Sequence, residues 1–228
     1  MKAVFLDFGT IGGDIDLAEL RSLFSELQVF DDTADEQIAE RIAGAEFVLT
    51  NKARLTAGII DDAEKLRYIG LTATGTDNID LDSASRNNVA VANIRAYCTE
   101  SVVEHVLGSI LLLSHSLNRY NASVKAGDWQ QASNFCMLKF PIRQLTSMTL
   151  GIVGYGVLGQ GVAQAAQAFG MQVIVSARPG ATEIPGDRVA FNELLAQADV
   201  ITLHCPLTDE TRSLFDAKTL GQMKPGAM

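Results

Sequence analysis

The residues whose spacing most clearly implies chemistry are three glycines. Gly154, Gly156 and Gly159 form Gly-x-Gly-x-x-Gly directly behind the apolar run Leu150-Gly-Ile-Val153. A helical pattern from Val157 to Phe169 opens inside the loop and is closed by Gly170. Each glycine has a separate task. Gly154 allows a tight turn, Gly156 lets backbone approach a pyrophosphate, and Gly159 lets the helix lie close to the strand. The first helical amides, at Val157, Leu158 and Gly159, then face the phosphates with a partial positive charge. The glycine spacing alone is a weak signal, but between a strand and a helix it is a dinucleotide fingerprint.

A second strand at 172–176 should report on the ribose. A carboxylate at its end would accept from a 2′-hydroxyl. That position holds Ala177, flanked by Ser176 and Arg178. Nothing there repels a 2′-phosphate, and Arg178 can pair with one. A hydrogen bond to a charged group contributes about 1.5–3 kcal/mol, a shift of roughly ten- to a hundredfold. The expected cofactor is therefore NADP or NAD, with NADP preferred.

The elements that must hold these residues alternate. Strands are expected at Ala3–Leu6, Gln28–Phe30, Glu46–Thr50, Leu66–Leu71 and Val89–Ala92, and helices at Leu17–Leu27, Ala34–Ala43 and Ala57–Ala63. A long apolar helix follows from Thr99 to Leu117. Ser101-Val-Val-Glu104 reads as its capping box, with Thr99 a competing cap. Such a helix lies deep in a core or is shared with a second subunit. Asn118 to Thr146 reads as an irregular arm. The alternation restarts with strand 149–153, helix 157–169, strand 172–176, short strand 188–190, helix 192–197 and strand 199–204. Strands alternating with helices imply parallel sheets. Two α/β domains are expected, 1–97 and 98–228, the second including the arm 99–147.

Composition excludes other classes. A formal charge of −9 leaves no long-range attraction to nucleic acid or anionic membrane. No stretch has the length and apolarity of a membrane span, and the expected location is the cytoplasm. Cys98, Cys136 and Cys205 show no metal-ligand spacing and read as small buried or half-buried thiols. No metal is expected.

Several further motifs give the chain a family likeness. Thr50-Asn-Lys52, Ala73-Thr-Gly-Thr-Asp-Asn-Ile-Asp80, Tyr97-Cys-Thr-Glu-Ser-Val-Val-Glu104, the loop Gly151 to Gly159, Leu203-His-Cys-Pro-Leu-Thr208 with Thr211, and Met223-Lys-Pro-Gly226 occur in order. In these the chain resembles the D-isomer-specific 2-hydroxyacid dehydrogenases, most closely their glycerate dehydrogenase or hydroxypyruvate reductase branch. The resemblance implies a flavodoxin-like substrate domain and a Rossmann dinucleotide-binding domain. It also implies an oxidoreductase moving hydride between NAD(P)H and a small 2-oxo or D-2-hydroxy acid, such as hydroxypyruvate, glyoxylate or glycerate. Amides around Thr74 and Gly75 would hold the substrate carboxylate, with Asn51 and Lys52 beside it. Thr99 would approach the nicotinamide, and His204, Cys205, Pro206 and Thr211 would line the adenine side. Val103 stands where the family has a smaller alanine.

The family's carboxylate-binding arginine and its paired glutamate and histidine fall beyond Met228, so no catalytic residue is assigned within the chain and it is expected to be inactive as it stands. Val200–His204 is expected to be an exposed apolar edge. His105 and His115 are expected in core or interface. A homodimer through the long helix and arm is the expected assembly. The alternative from another class is an NAD(P)-sensing, corepressor-like binding module without turnover.

Overall fold

A computed structural model describes all residues from Met1 to Met228. They form two compact units, Met1–Tyr97 and Cys98–Met228.

The first unit is a five-stranded parallel sheet. Its strands are β1 (Lys2–Phe5), β2 (Glu26–Val29), β3 (Phe47–Thr50), β4 (Tyr68–Leu71) and β5 (Ala90–Ala92), in the order β2-β1-β3-β4-β5. This is the flavodoxin-like order, in which ligands favour the crevice beyond the strand ends where the order reverses, here between β1 and β3. The helices are α1 (Ala18–Ser22), α2 (Asp35–Ile42), α3 (Ala57–Asp61) and α4 (Leu81–Arg86). α2 turns Ile38 and Ile42 onto the sheet, where Val4, Leu6, Val48 and Ile69 are fully buried. α4 is capped by Asp80, whose carboxylate accepts from the Ser83 amide at 2.8 Å.

The second unit begins with α5 (Thr99–Ser114) and α6 (Leu117–Lys125), then β6 (Thr149–Val153), α7 (Val157–Ala168), β7 (Gln172–Val175), α8 (Phe191–Gln197), β8 (Val200–Leu203) and α9 (Ala217–Leu220). Its parallel strands run β7-β6-β8. Residues 150–153 of β6 are buried. A Cβ on Gly151 would lie 2.8 Å from Leu194 and 2.9 Å from Ala198, so this glycine sets how closely α8 covers the sheet. On the other face Val162, Ala163 and Ala166 of α7 complete the core with Ile110 of α5.

Several expectations shift. The helix read over Leu17–Leu27 ends at Ser22, and β2 already begins at Glu26. Apolar positions 23, 24 and 27 fit a helical period, but Leu27 is bound into the sheet opposite Ala3. The long helix stops at Ser114. Ser116 is left-handed at φ 53°, and α6 starts where an irregular arm was expected. Neither Ser101 nor Thr99 caps α5: the N-cap is Cys98, without a side-chain bond, and Ser101 lies within the helix. The strand read over 188–190 is a single bridge between Ser176 and Val189. Cys136 is exposed, not buried. His105 is exposed on α5, and His115 is half-buried at the break after it.

The outer edge of β8 is not bare. The Ile201 amide donates to the Met228 carbonyl at 2.9 Å, and the Met228 amide donates to the Asp199 carbonyl at 2.9 Å. Asp199 ties this corner together. Its carboxylate takes the Thr149 amide at 2.8 Å, Arg143 at 2.9 Å and Lys224 at 3.0 Å. Burial raises the Asp199 pKa, but the Thr149 amide and then Lys224 and Arg143 outweigh it and hold the carboxyl below its ordinary value.

Candidate functional site

Each unit carries one cavity at the carboxyl ends of its strands, where its sheet order reverses.

In the first unit the organising residue is Asp7, just past β1 and 2% exposed. Its carboxylate accepts from the amides of Asn51 at 2.8 Å, Lys52 at 2.6 Å and Ala53 at 2.8 Å, and from the Thr50 hydroxyl at 3.0 Å. A buried carboxylate is tolerated when donors surround it. Here they fix the loop after β3. The Asn51 side chain donates to the Thr10 hydroxyl at 2.9 Å, and Asn78 donates to the Ala53 carbonyl at 3.0 Å. Next to this loop lies the turn after β4. Asn93 donates to the Thr74 carbonyl at 2.8 Å, while the amides of Thr74 and Gly75 donate to no protein group. Asn51, Lys52, Thr74 and Gly75 thus share the lining of one cavity of 1040 Å³, along with apolar residues such as Ile11, Leu20 and Tyr97. Free amides on a turn, with a lysine in the same cavity, can take a small carboxylate.

In the second unit the glycine loop has the geometry its sequence requires. Gly154 sits at φ 92°, and a Cβ there would lie 2.5 Å from the Cys205 amide nitrogen. A Cβ on Gly159 would lie 2.2 Å from the Gly154 carbonyl oxygen, so no other residue lets α7 start this close to β6. Gly156 differs: it has an ordinary φ of −78°, and nothing lies within 4 Å of its missing Cβ. Gly156 also lines the cavity beside this loop. The first amides of α7 have no acceptor within the helix.

A cavity of 980 Å³ runs from this loop past the ends of β7 and β8. It is lined by Gly154, Gly156, Ser176, Ala177, Arg178, His204, Cys205, Pro206 and Thr211 among the residues singled out in the sequence. Val157, Leu158 and Gly159 stand behind this lining as the first turn of α7, and Thr99 is not part of it. Thr99 packs instead against Gly161 of α7, and its hydroxyl is buried without a partner. Thr211 shapes the loop after β8: its hydroxyl donates to the Pro206 carbonyl at 2.7 Å and accepts from the Thr208 amide at 2.7 Å. His204 is held at 2.9 Å from the Thr202 hydroxyl, and burial lowers its pKa, favouring the neutral ring.

Two residues in this cavity were not legible from local sequence. Glu210 lines it from the loop after β8. Hydrogen bonds from Thr208 and from its own amide lower its pKa, slight desolvation opposes them, and the charge of Arg178 lowers it further. The cavity therefore does contain a carboxylate near Arg178, although β7 supplies none. Arg188 is the other, 4.7 Å above the ring of Tyr155. Arg188 returns to the end of β7 after the excursion over residues 178–187 and Glu210 arrives from the loop after β8, and only the fold brings the two into one cavity.

Residues 107–228 match the family described as D-isomer specific 2-hydroxyacid dehydrogenase, NAD binding domain. The chain belongs to that family. It is 37% identical over 229 residues to a glycerate dehydrogenase of Methylorubrum extorquens, covering 100% of this chain and 70% of the relative. It is 34% identical over 235 residues to a hydroxypyruvate reductase of Blautia hydrogenotrophica, covering 100% and 73%. Among solved structures it superposes on the TT0316 protein of Thermus thermophilus with a TM-score of 0.81 at 29% identity, over 100% of this chain and 72% of the other. The 2-hydroxyacid dehydrogenases are NAD-dependent oxidoreductases of small 2-hydroxy and 2-oxo acids, and this chain carries their NAD-binding domain.

Proposed function

We propose that this 2-hydroxyacid dehydrogenase chain uses NADPH in preference to NADH, and that its substrates are hydroxypyruvate, glyoxylate or glycerate. The observation that carries the dinucleotide site is the tight glycine turn, with Gly154 at φ 92° and with Gly154 and Gly156 lining a cavity at the start of α7. Gly154, Gly156 and Gly159 with Val157 and Leu158 would cradle the pyrophosphate. Ser176, Ala177 and Arg178 would meet the ribose, with His204, Cys205, Pro206 and Thr211 around the adenine. In the first unit the free amides of Thr74 and Gly75 would hold the substrate carboxylate, assisted by Asn51 and Lys52. When bound, the reduced nicotinamide would supply a hydride to the carbonyl carbon of a 2-oxo acid, with a proton from solvent or a protein acid completing the hydroxyl.

No histidine lines the first cavity, and His204 is engaged by Thr202. The 228 residues on their own should therefore hold cofactor without turnover. Titration with NADPH and NADH tests the first part, and the dissociation constant for NADPH should be the lower by roughly tenfold. Sustained NADPH oxidation with hydroxypyruvate would overturn the second. The working form would be a cytoplasmic homodimer. Leu112, Leu113 and Leu117 at the α5–α6 junction, with Phe135 and Leu138 beyond them, are exposed apolar residues that such an interface would cover.

A further inference from the structure

The cavity beside the glycine loop holds a second arginine whose placement is more constrained than that of Arg178. Arg188 enters through the Ser176–Val189 bridge, where the Val189 amide donates to Val175 and the Ala177 amide donates to Val189, each at about 2.9 and 2.8 Å. This places it beside the end of β7, the segment that meets the ribose. Its guanidinium stacks at 4.7 Å on Tyr155, the residue between Gly154 and Gly156. Its Nε donates to Asp187 at 3.3 Å, and its side chain is only 24% exposed. The two terminal nitrogens bond no protein group, yet the residue lines the cavity. A guanidinium locked by stacking loses little freedom when it binds, and its free edge is shaped for a phosphate. Arg178, by contrast, is exposed and forms no ion pair that fixes it, although its charge is felt by Glu210.

We propose that Arg188 is a specificity-determining residue which, with Arg178, takes the 2′-phosphate of NADPH. The inference rests on the dinucleotide reading of this cavity. Asp187 holds the guanidinium by one edge and leaves the other for the ligand. Tyr155 aligns it with the glycine loop, so the 2′-phosphate and the pyrophosphate are held by one connected surface.

The test is a set of NADPH and NADH dissociation constants for the 228-residue chain, Arg188→Gln and Arg188→Lys, with denaturant unfolding as a check of fold. Arg188→Gln should weaken NADPH roughly ten- to a hundredfold and leave NADH within about twofold. Arg188→Lys should keep part of the NADPH preference, because the charge remains while the stack and the paired donors are lost. An equal loss for both cofactors would make Arg188 only a prop of the glycine loop and would overturn the inference, as would no loss for either. If the unsubstituted chain binds neither cofactor, the dinucleotide reading itself falls. Should Arg188→Gln fail to fold, Arg188→Lys together with competition by 2′-AMP against 5′-AMP decides: equal competition by the two overturns the proposal.

Discussion

Gly154 and Gly156, two positions apart, make opposite predictions for stability. Gly154→Ala puts a side chain into a left-handed conformation that costs about 1–2 kcal/mol, and also into the backbone of His204 and Cys205. It should lower stability in denaturant unfolding by more than that strain alone and abolish NADPH binding. Gly156→Ala meets no atom. It should unfold like the parent and still lose cofactor affinity, because the added methyl occupies ligand space. Loss of stability in Gly156→Ala would show that the open side is not the ligand side. Asp199 gives a pH prediction. Its pKa is lowered on folding, so its stabilisation is complete above the unfolded value of about 3.9 and fades as pH falls through the folded value. Asp199→Asn should cost about 2 kcal/mol at neutral pH, the scale of a hydrogen bond to a charged group, and the gap to the parent should close in acid. A gap that stays constant between neutral pH and pH 3 would exclude this linkage. The glycine roles were legible because each requirement is local. Asp7 was not, since a lone acid after a strand reads as a solubilising residue until three amides of a distant loop are seen to converge on it.

At the scale of elements, α5 and α7 meet where a small residue permits it. A Cβ on Gly161 would lie 3.0 Å from the Val103 side chain and 3.1 Å from that of Thr99. The chain pairs a larger residue on one helix with the smallest on the other. Gly161→Val should destabilise by about 1–3 kcal/mol through overpacking, and Val103→Ala should restore part of that loss in the double variant. Independent, additive effects in the denaturant curves would mean the two do not touch. Alternating patterns made the sheets readable, since buried parallel strands are apolar on both faces. α6 escaped notice because Leu-Asn-Arg-Tyr-Asn-Ala-Ser-Val-Lys has polar residues of modest helix preference. Tertiary contacts help to hold its surroundings: the Tyr120 hydroxyl donates to the Phe140 carbonyl at 2.8 Å, and Arg119 lies 4.1 Å over the Phe140 ring.

At the scale of the whole molecule, Leu113 is 55% exposed near the carboxyl end of α5. If two copies associate there, Leu113→Asp should halve the sedimenting mass without changing unfolding of the isolated chain. A parent chain that already sediments as a monomer would remove the homodimer. The two units also have separate buried cores, one built on Val4, Ile38 and Ile69, the other on Ile110, Leu150 and Val162. Two cores need not melt as one. Calorimetry should then record two overlapping heat-absorption peaks, and a ligand seated only in residues 98–228 would raise just one of them, by the logarithm of its concentration over its dissociation constant. The dinucleotide thus becomes a label that tells which peak belongs to which half.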